Sequence, residues 1–209
     1  MEIFECIDTR KTIRKYTDYV PTEDEVKRII NSARFAPSAI NMQNWRFIAV
    51  LNQDIKHKMA EAISNKYDEI TKNLDVATKA QVLSYKGHST FFENAPVVIV
   101  CVETKAPSFM GGVLEQAGYS KEEISRMRPD SYLLSMGGAI ENMILSAHAL
   151  GLSSCWMVAP VLACDEIKNI LKLSDNEKIT TLLAVGKPYT DNPNKPPKKE
   201  LDEVMEIIR

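Results

Sequence analysis

The sequence predicts an α/β or α+β fold in which a β-sheet lies between layers of helices, because helix and strand patterns alternate along the chain. Two segments carry this prediction. Residues 96–102 are a dense run of β-branched side chains, as in a buried strand. Residues 131–150 repeat apolar side chains at the spacing of a buried helix, and Gly151 follows as a helix stop. With no repeat and no internal linker in the sequence, residues 1–209 are expected to form a single domain.

Further helices are predicted from apolar periodicity and from capping residues. Thr22 and Glu25 fit a capping box, in which each side chain satisfies a free backbone N–H at the helix start. This helix is expected to continue until Pro37 ends it. The other predicted helical segments are residues 2–9, a polar amphipathic region from about 54 to 85, residues 161–171, and a short helix from about residue 200.

Two segments outside the regular pattern are candidates for special roles. Residues 107–129 contain Gly111-Gly112 and are interpreted as a lid or an insertion. The C-terminal arm, residues 189–209, includes a stretch rich in Pro, Asn and Lys that is suited to lie extended on another surface. A single domain with such an arm suggests an intertwined oligomer. The other predicted strands are residues 47–51, 153–158 and 179–185.

The composition is that of a globular protein: 209 residues, 44% hydrophobic and 26% charged, with a net charge of −2. This near-neutral balance gives no reason to expect nucleic acid or an anionic membrane as a partner. The apolar runs are far shorter than the roughly 20 residues of a membrane span. The acidic N-terminus does not resemble a signal peptide, and the cysteines have no CxxC spacing that would indicate a metal site. The expected compartment is therefore the reducing cytoplasm.

The first candidate site is the basic segment Arg10-Lys11-Thr12-Ile13-Arg14, which has three cations and a hydroxyl within five residues. An Arg fork, backbone N–H groups and a hydroxyl together suit the acceptor oxygens of a phosphate monoester. In an extended chain, alternation puts Arg10, Thr12 and Arg14 on one side. The same residues also suit a solvated loop after a helix, where cations favour the helix C-terminus.

The second candidate is the polar loop, Ala36-Pro37-Ser38-Ala39-Ile40-Asn41-Met42-Gln43-Asn44, which leads directly into Trp45-Arg46-Phe47. Its amides both donate and accept hydrogen bonds, as a polar ligand requires, and Pro37 stiffens the chain. The alternative is a helix-to-strand connection whose polar groups satisfy their own backbone.

Two further segments also allow two interpretations. Residues 151–158 are either a buried strand behind a helix stop or an apolar shelf that offers a ring ligand a backbone N–H. Lys195 through Lys199 are either solvated or a further source of cations for the phosphate. No hydrolytic set stands out, because His148 lies in an apolar helix and pairs with Cys155 as a nucleophile only by a spacing argument.

Taken together and in order, these segments resemble the nitroreductase family of FMN-dependent oxidoreductases. The family's opening pattern, Arg-Arg-Ser-Ile-Arg-x-Phe, is present here as residues 10–16, and its Ala-Pro-Ser-x-x-Asn-x-Gln-Pro-Trp-x-Phe block as residues 36–47. The Leu-Gly-Leu-Gly-Ser-Cys-Trp block corresponds to residues 150–156, and the Gly-x-Pro after the last strand is Gly186-Lys187-Pro188. The resemblance spans nearly the whole chain.

The resemblance implies an α+β fold with a mixed sheet in three α/β/α layers, assembled as an intertwined homodimer with two FMN sites at the subunit interface. Arg10, Lys11, Thr12 and Arg14 would hold the phosphate and the ribityl chain. Near the C-terminus, Lys198 would join the phosphate, with Lys195 as a second candidate.

For the flavin ring, the resemblance implies contacts from both subunits. Met157 and Val158 would lie by the isoalloxazine ring, with a backbone N–H toward its reactive nitrogen. The polar loop would come from the partner subunit and line the flavin. The residues implied there are Pro37, Ser38, Ala39 and Asn41, with Gln43 as a further member.

The implied activity is reduction of FMN by hydride transfer from NADH or NADPH, followed by reduction of a small acceptor such as a nitroaromatic or a quinone in the same open site. No catalytic side chain is expected. The alternatives are another reaction of the same family, such as dehydrogenation or dehalogenation, and flavin binding without turnover. The chain departs from the family pattern at Thr12 for Ser, Asn44 for Pro and Lys198 for Arg, and the last change removes a bidentate fork.

Overall fold

The β-sheet of the computed structural model has four strands within the described residues, which are 1–104, 108–128, 130–190 and 196–209. Their order is β1-β2-β4-β3, and each neighbouring pair is antiparallel, so the described strands form an antiparallel sheet rather than the mixed sheet that the resemblance implies. A single parallel bridge within these residues joins Thr12 to Ser154 of β3, beside the sheet. The strands are β1 (Trp45–Val50), β2 (Val97–Thr104), β3 (Ser153–Met157) and β4 (Glu177–Gly186).

Helices cover both faces of this sheet, which confirms the predicted α+β class. One face packs against α3 and α9, and the other against α2 and α8. The helices are α1 (Ile3–Thr9), α2 (Glu23–Ala33), α3 (Gln53–Ile70), α4 (Val76–Ser84), α5 (Lys86–Thr90), α6 (Phe109–Gln116), α7 (Lys121–Met127), α8 (Ser131–Ala149) and α9 (Cys164–Leu171).

Strand β2 lies at the centre of the core, and its sequence shows why. Side chains alternate across a strand, so Val98 and Val100 pack toward α3 while Val97 and Ile99 pack toward α2 and α8. All four are fully buried. Because both faces of β2 are covered, the strand is a continuous apolar run rather than an alternating one.

The helix boundaries follow the predicted signals at two places. Thr22 and Glu25 form the predicted capping box at the start of α2, with the Glu25 backbone N–H donating to Thr22 Oγ1 at 3.2 Å. Helix α8 ends as predicted, because Gly151 takes the left-handed conformation with a φ of 73°.

Several predicted elements differ in detail from the structure. Helix α2 ends at Ala33, four residues before Pro37. The amphipathic region 54–85 divides into α3 and α4, and the predicted C-terminal helix is one 3-10 turn at Leu201–Glu203. The first turn of α8 is not buried, since Leu133 and Leu134 are 52% and 67% exposed. Apolar spacing alone does not show whether a face meets its own chain or another surface.

Residues 108–128 form a helical hairpin, called hairpin 108–128 here, from α6 and α7. Its base is closed by Arg128, whose Nη1 donates to Ser108 Oγ at 2.9 Å. Apolar side chains on the hairpin are exposed to solvent, namely Phe109, Met110, Val113, Tyr119 and Met127. Across the described part of the chain, no helix is both long and apolar enough to span a membrane.

Candidate functional site

The basic segment runs beside strand β3. The Ile13 backbone N–H donates to the Ser154 carbonyl oxygen at 3.0 Å, and the Ile13 side chain is buried. Because side chains alternate along an extended chain, Thr12 and Arg14 point away from that buried side and are exposed. Ile13 therefore anchors the segment, and its neighbours remain available to a ligand.

Arg10 lies where α1 meets α8. Its Nε is 3.8 Å from Glu141 Oε1, a half-exposed pair that contributes little stability by itself. One residue earlier, Thr9 Oγ1 is 2.8 Å from Nε2 of His148. Burial, and then the charge of Arg10, lower the pKa of His148. His148 thus serves the contact between two helices, as expected for a core or interface residue.

A cavity of about 570 Å³, called the Arg14 cavity here, opens beside Arg14. Burial and hydrogen bonding fix one of its walls: the Tyr16 hydroxyl donates to the Ile13 carbonyl at 2.7 Å, and burial raises the pKa of Tyr16 well above its usual range. The cavity combines two cations, three aromatic rings and an amide. Its lining residues are Arg14, Lys15, Tyr16, Phe91, Asn94 and Tyr189.

Phe91, Asn94 and Tyr189 are site residues that the sequence did not reveal. Phe91 and Asn94 belong to a 3-10 turn that precedes β2, and no local pattern marks them. Tyr189 reaches the cavity because its backbone N–H donates to the Lys15 carbonyl at 3.1 Å. The available signal is positional and holds for Asn94 alone, which lies two residues before the predicted strand 96–102.

Lys11 lies on the other side of the basic segment from Thr12 and Arg14. It lines a separate cavity of about 520 Å³, together with Ile13, His148 and Gly151. Lys11 and Arg14 therefore line different cavities, and Thr12 between them is exposed.

The polar loop is held in a strained conformation. Ile40, Asn41 and Gln43 have φ values of 50°, 53° and 49°, in the left-handed region that β-branched residues such as Ile rarely adopt. The Gln43 backbone N–H donates to Ser38 Oγ, and the Ala39 N–H donates to Ser135 Oγ, both at 3.1 Å.

The polar side chains of this loop converge on one surface. Gln43 Nε2 donates to Asn41 Oδ1 at 3.2 Å, and both side chains are exposed. Pro37 is exposed as well, while Ser38 and Ala39 are half-buried. Strained non-glycine residues cluster at ligand sites, so the loop is a candidate binding element.

Strand β3 ends at Met157, and Val158 follows it. Met157 is buried and its carbonyl accepts from Thr181 Oγ1 at 2.7 Å, which fixes the strand end. Val158 is 64% exposed, and so offers an apolar surface at the same sheet edge as the basic segment. Cys155 on this strand is buried, and burial raises the pKa of its thiol. This disfavours the thiolate nucleophile of the hydrolase alternative.

The sheet order places the two halves of the predicted site at opposite edges of one subunit. The basic segment and Val158 lie beside β3, whereas the polar loop leads into β1. With three strand spacings between these edges, the separation is roughly 14 Å across the sheet.

The tail cations are the least defined part of the predicted set. Lys198 is exposed and lies outside any helix or strand. Lys195 lies outside the described residues.

Comparison with known proteins agrees with this architecture. The crystal structure of a BluB-like flavoprotein from Clostridium difficile 630 superposes with a TM-score of 0.91, at 29% identity and with 100% of each chain covered. An FMN-dependent nitroreductase from Clostridium difficile R20291 has the same fold, with a TM-score of 0.67, 20% identity and 98% of each chain covered. Protein DrgA from Synechocystis sp. is 25% identical over 93% of this chain and 88% of its own length.

The family assignment rests on a match over most of the chain. The model of the Nitroreductase family matches residues 7–187, which include the basic segment, the polar loop and strands β1 to β4. The chain belongs to the nitroreductase family.

Proposed function

We propose that this protein is an FMN-dependent oxidoreductase that uses NADH or NADPH to reduce small acceptors such as nitroaromatics or quinones. When bound, FMN supplies the redox chemistry, taking a hydride from the nicotinamide and passing electrons to the acceptor. The observation that carries the proposal is the Arg14 cavity, where cations and aromatic rings meet beside the exposed side of the basic segment. FMN has a phosphate, which cations bind, and an aromatic ring, which packs against aromatic side chains.

The donor set of the basic segment fits the phosphate end of FMN. Arg10 and Arg14 supply guanidinium donors and Thr12 supplies a hydroxyl, and such charge-assisted bonds are the strong ones for phosphate. Lys11 would add a cation from the neighbouring cavity. Lys198, and Lys195 with it, would reach the phosphate from the arm.

The ring end of FMN would lie between two subunits. Met157 and Val158 offer an apolar strand end beside the basic segment. Pro37, Ser38, Ala39, Asn41 and Gln43 would come from the second subunit, because their own loop lies at the opposite sheet edge. The homodimer is thus part of the proposed site.

The C-terminal arm and a groove beside β1 suit each other as dimer contacts. The basic groove is a cavity of about 670 Å³ around Trp45 and Phe47, with Asp24 at its border. It contains four cations, of which Lys27 pairs with Glu23 and Arg46 with Glu177, while Arg28 and Arg34 have no ion pair among the described residues. The arm from residue 200 alternates acidic with exposed apolar side chains. These are Glu200, Leu201, Asp202, Glu203, Val204, Met205, Glu206, Ile207 and Ile208. We propose that the arm of one subunit occupies the basic groove of the other.

Hairpin 108–128 is the proposed acceptor lid. Its exposed Phe109, Met110 and Met127 would meet an apolar, planar acceptor at little desolvation cost. Its acidic and basic residues are mixed, so its charge does not favour a strongly ionic acceptor.

Two spectroscopic measurements test the function. The purified protein should carry flavin absorbance or acquire it from added FMN, and the absence of both results would refute the proposal. Anaerobic addition of NADH or NADPH should then bleach the flavin, whereas an unchanged spectrum would favour a flavin-binding protein without turnover. An acceptor screen that includes halogenated aromatics would separate nitro and quinone reduction from dehalogenation or dehydrogenation.

The phosphate clamp has its own test. Each charge-assisted bond to phosphate contributes roughly 1.5–3 kcal/mol, so Arg10→Ala combined with Arg14→Ala should weaken FMN binding at least about a hundredfold. Lys72→Ala with Lys79→Ala, which removes two exposed cations near α4, is the matched control and should leave binding unchanged. Unchanged FMN retention in the arginine variant would refute the clamp.

A further inference from the structure

Asn44 is the residue at which the polar loop departs from the family pattern, which has proline there. The residue before it, Gln43, has a φ of 49°. A proline at position 44 would push Gln43 to an extended conformation with negative φ, because the proline Cδ clashes with the preceding residue. The observed conformation of Gln43 is therefore one that proline at position 44 would disfavour and that asparagine permits.

The conformation of Gln43 determines where the loop's polar groups lie. In the left-handed conformation, its backbone N–H donates to Ser38 Oγ at 3.1 Å and its side-chain amide donates to Asn41 Oδ1 at 3.2 Å. Both contacts join residues of the proposed flavin-lining set. An extended Gln43 would rotate its side chain and the following residues about its N–Cα bond, which would separate the two amides.

Asn44 also ties the loop to the end of β2. Its side chain is buried at 6% exposure. The Asn44 carbonyl accepts from the Thr104 backbone N–H at 3.0 Å, and its Nδ2 donates to the Thr104 carbonyl at 3.4 Å. Thr104 is the last residue of β2, and hairpin 108–128 follows it in the chain. The N–H and the carbonyl of Thr104 are thus both hydrogen-bonded to Asn44.

We infer that Asn44 is a positioning residue, which permits the left-handed Gln43 and holds the flavin-lining loop against the β2 end that leads to the hairpin. The inference rests on the proposed function, since its consequence is the placement of the Asn41 and Gln43 amides toward FMN. Without Asn44, the loop would hold the Asn41 and Gln43 amides in a different arrangement.

Two pairs of variants isolate the backbone requirement from the loss of a side chain. Gln43→Gly and Gln43→Val both remove the amide, but glycine tolerates positive φ and valine does not. Asn44→Ala and Asn44→Pro both remove the Thr104 donor, but only proline restricts Gln43. In each pair, the second variant should bind FMN at least about tenfold more weakly than the first. The dissociation constant is measured from the quenching of FMN fluorescence by apoprotein.

The thermal unfolding midpoint of each apoprotein is the second readout. Asn52→Ala is the control, because it removes an asparagine that caps α3 by accepting from the Ile55 N–H at 3.0 Å, away from the loop. It should lower the midpoint and leave FMN affinity unchanged. If Asn44→Pro does not fold, the Gln43 pair decides the question.

The outcomes separate this inference from the proposed function. Wild-type protein that binds no FMN would refute the proposed function. Asn44→Ala should also bind FMN more weakly than wild type, because it loses the bond to Thr104. If wild type binds FMN but Asn44→Ala binds it equally well, or if the two affinities within each variant pair are equal, the role of Asn44 is overturned and the function still stands.

Discussion

Glu177, the first residue of β4, shows how one carboxylate connects separate parts of the chain. Its Oε2 accepts from the Ser174 backbone N–H at 2.9 Å and from Ser174 Oγ at 2.7 Å. Its other oxygen pairs with Arg46 of β1, across the intervening strand β2. The two Ser174 bonds, followed by the Arg46 contact, lower the pKa of Glu177 to about 2.

This depressed pKa predicts a pH-dependent contribution to stability. The carboxylate stabilises the fold fully above its unfolded pKa, near 4.5, and this contribution is lost as the pH falls toward about 2. At pH 7, Glu177→Gln should therefore lower the free energy of unfolding by roughly 2 kcal/mol. Between pH 5 and pH 3, urea titrations of both proteins should show the difference shrinking. A difference that is constant or grows with acid would contradict the assignment.

Asn44 illustrates, at the same scale, what a sequence pattern cannot show. The departure from proline is visible in the sequence, but the left-handed Gln43 that accompanies it is not. The conformation of Gln43 accompanies its contact with Ser38 and the contact of Asn44 with Thr104, which is 60 residues away in the sequence.

Among the elements, hairpin 108–128 depends on a glycine at its base. A Cβ at Gly111 would lie 2.6 Å from Ser108 Oγ, the atom that accepts from Arg128 and caps α6. A Cβ at the adjacent Gly112 would meet nothing within 4 Å. The two glycines therefore offer a matched pair.

We expect Gly111→Ala to displace Ser108 and open the base of the hairpin. Gly112→Ala should instead stabilise α6 by about 0.5–1 kcal/mol, because alanine favours the helix. Hydrogen exchange of the backbone amides in residues 108–128 measures both effects. Exchange should be faster in the first variant and slower in the second, and equal protection would show that the base does not hold the hairpin.

Element prediction from the sequence succeeded where the physical signal is local. The capping box at Thr22 and the left-handed Gly151 are set by neighbouring residues, and both were confirmed. The burial of Leu133 and Leu134 was predicted wrongly. Apolar spacing identifies an apolar helix face, but it does not show which surface packs against that face.

The candidate site was predictable to a similar extent. The side of the basic segment followed from alternation, with buried Ile13 between exposed Thr12 and Arg14. Phe91 and Asn94 were not predictable, because tertiary contacts alone bring that turn to the Arg14 cavity.

The whole molecule has its proposed ligand contacts at two opposite sheet edges. Within one subunit, β2 and β4 lie between β1, which the polar loop enters, and β3, beside which the basic segment runs. In the proposed flavin site the loop comes from the other subunit, so loss of the dimer should release the cofactor.

Removal of residues 200–209 tests this coupling. Burial of a single isoleucine contributes about 1.5–3 kcal/mol, so loss of the arm's apolar residues should raise the dimer dissociation constant at least about tenfold. FMN affinity should fall in parallel. Sedimentation equilibrium measures the dimer dissociation constant, and flavin fluorescence measures the affinity for FMN.

A charge variant of the full-length chain separates packing from electrostatics. This variant should weaken the dimer at low salt and have less effect at high salt. It carries glutamine in place of Glu200, Asp202, Glu203 and Glu206. A truncated protein that stays dimeric would show that the arm does not hold the subunits together.

The position of β1 at the edge of the sheet also bears on a subunit that has not yet met its partner. An uncovered edge strand is a template for any extended chain, so assembly competes with aggregation during synthesis. The cations beside β1, Arg28 and Arg34, would repel a second copy of the same edge. They would admit an acidic segment in its place. A subunit with one such edge and one such arm closes its contacts in a pair only if two subunits exchange arms reciprocally, whereas one-way exchange would extend into open fibres.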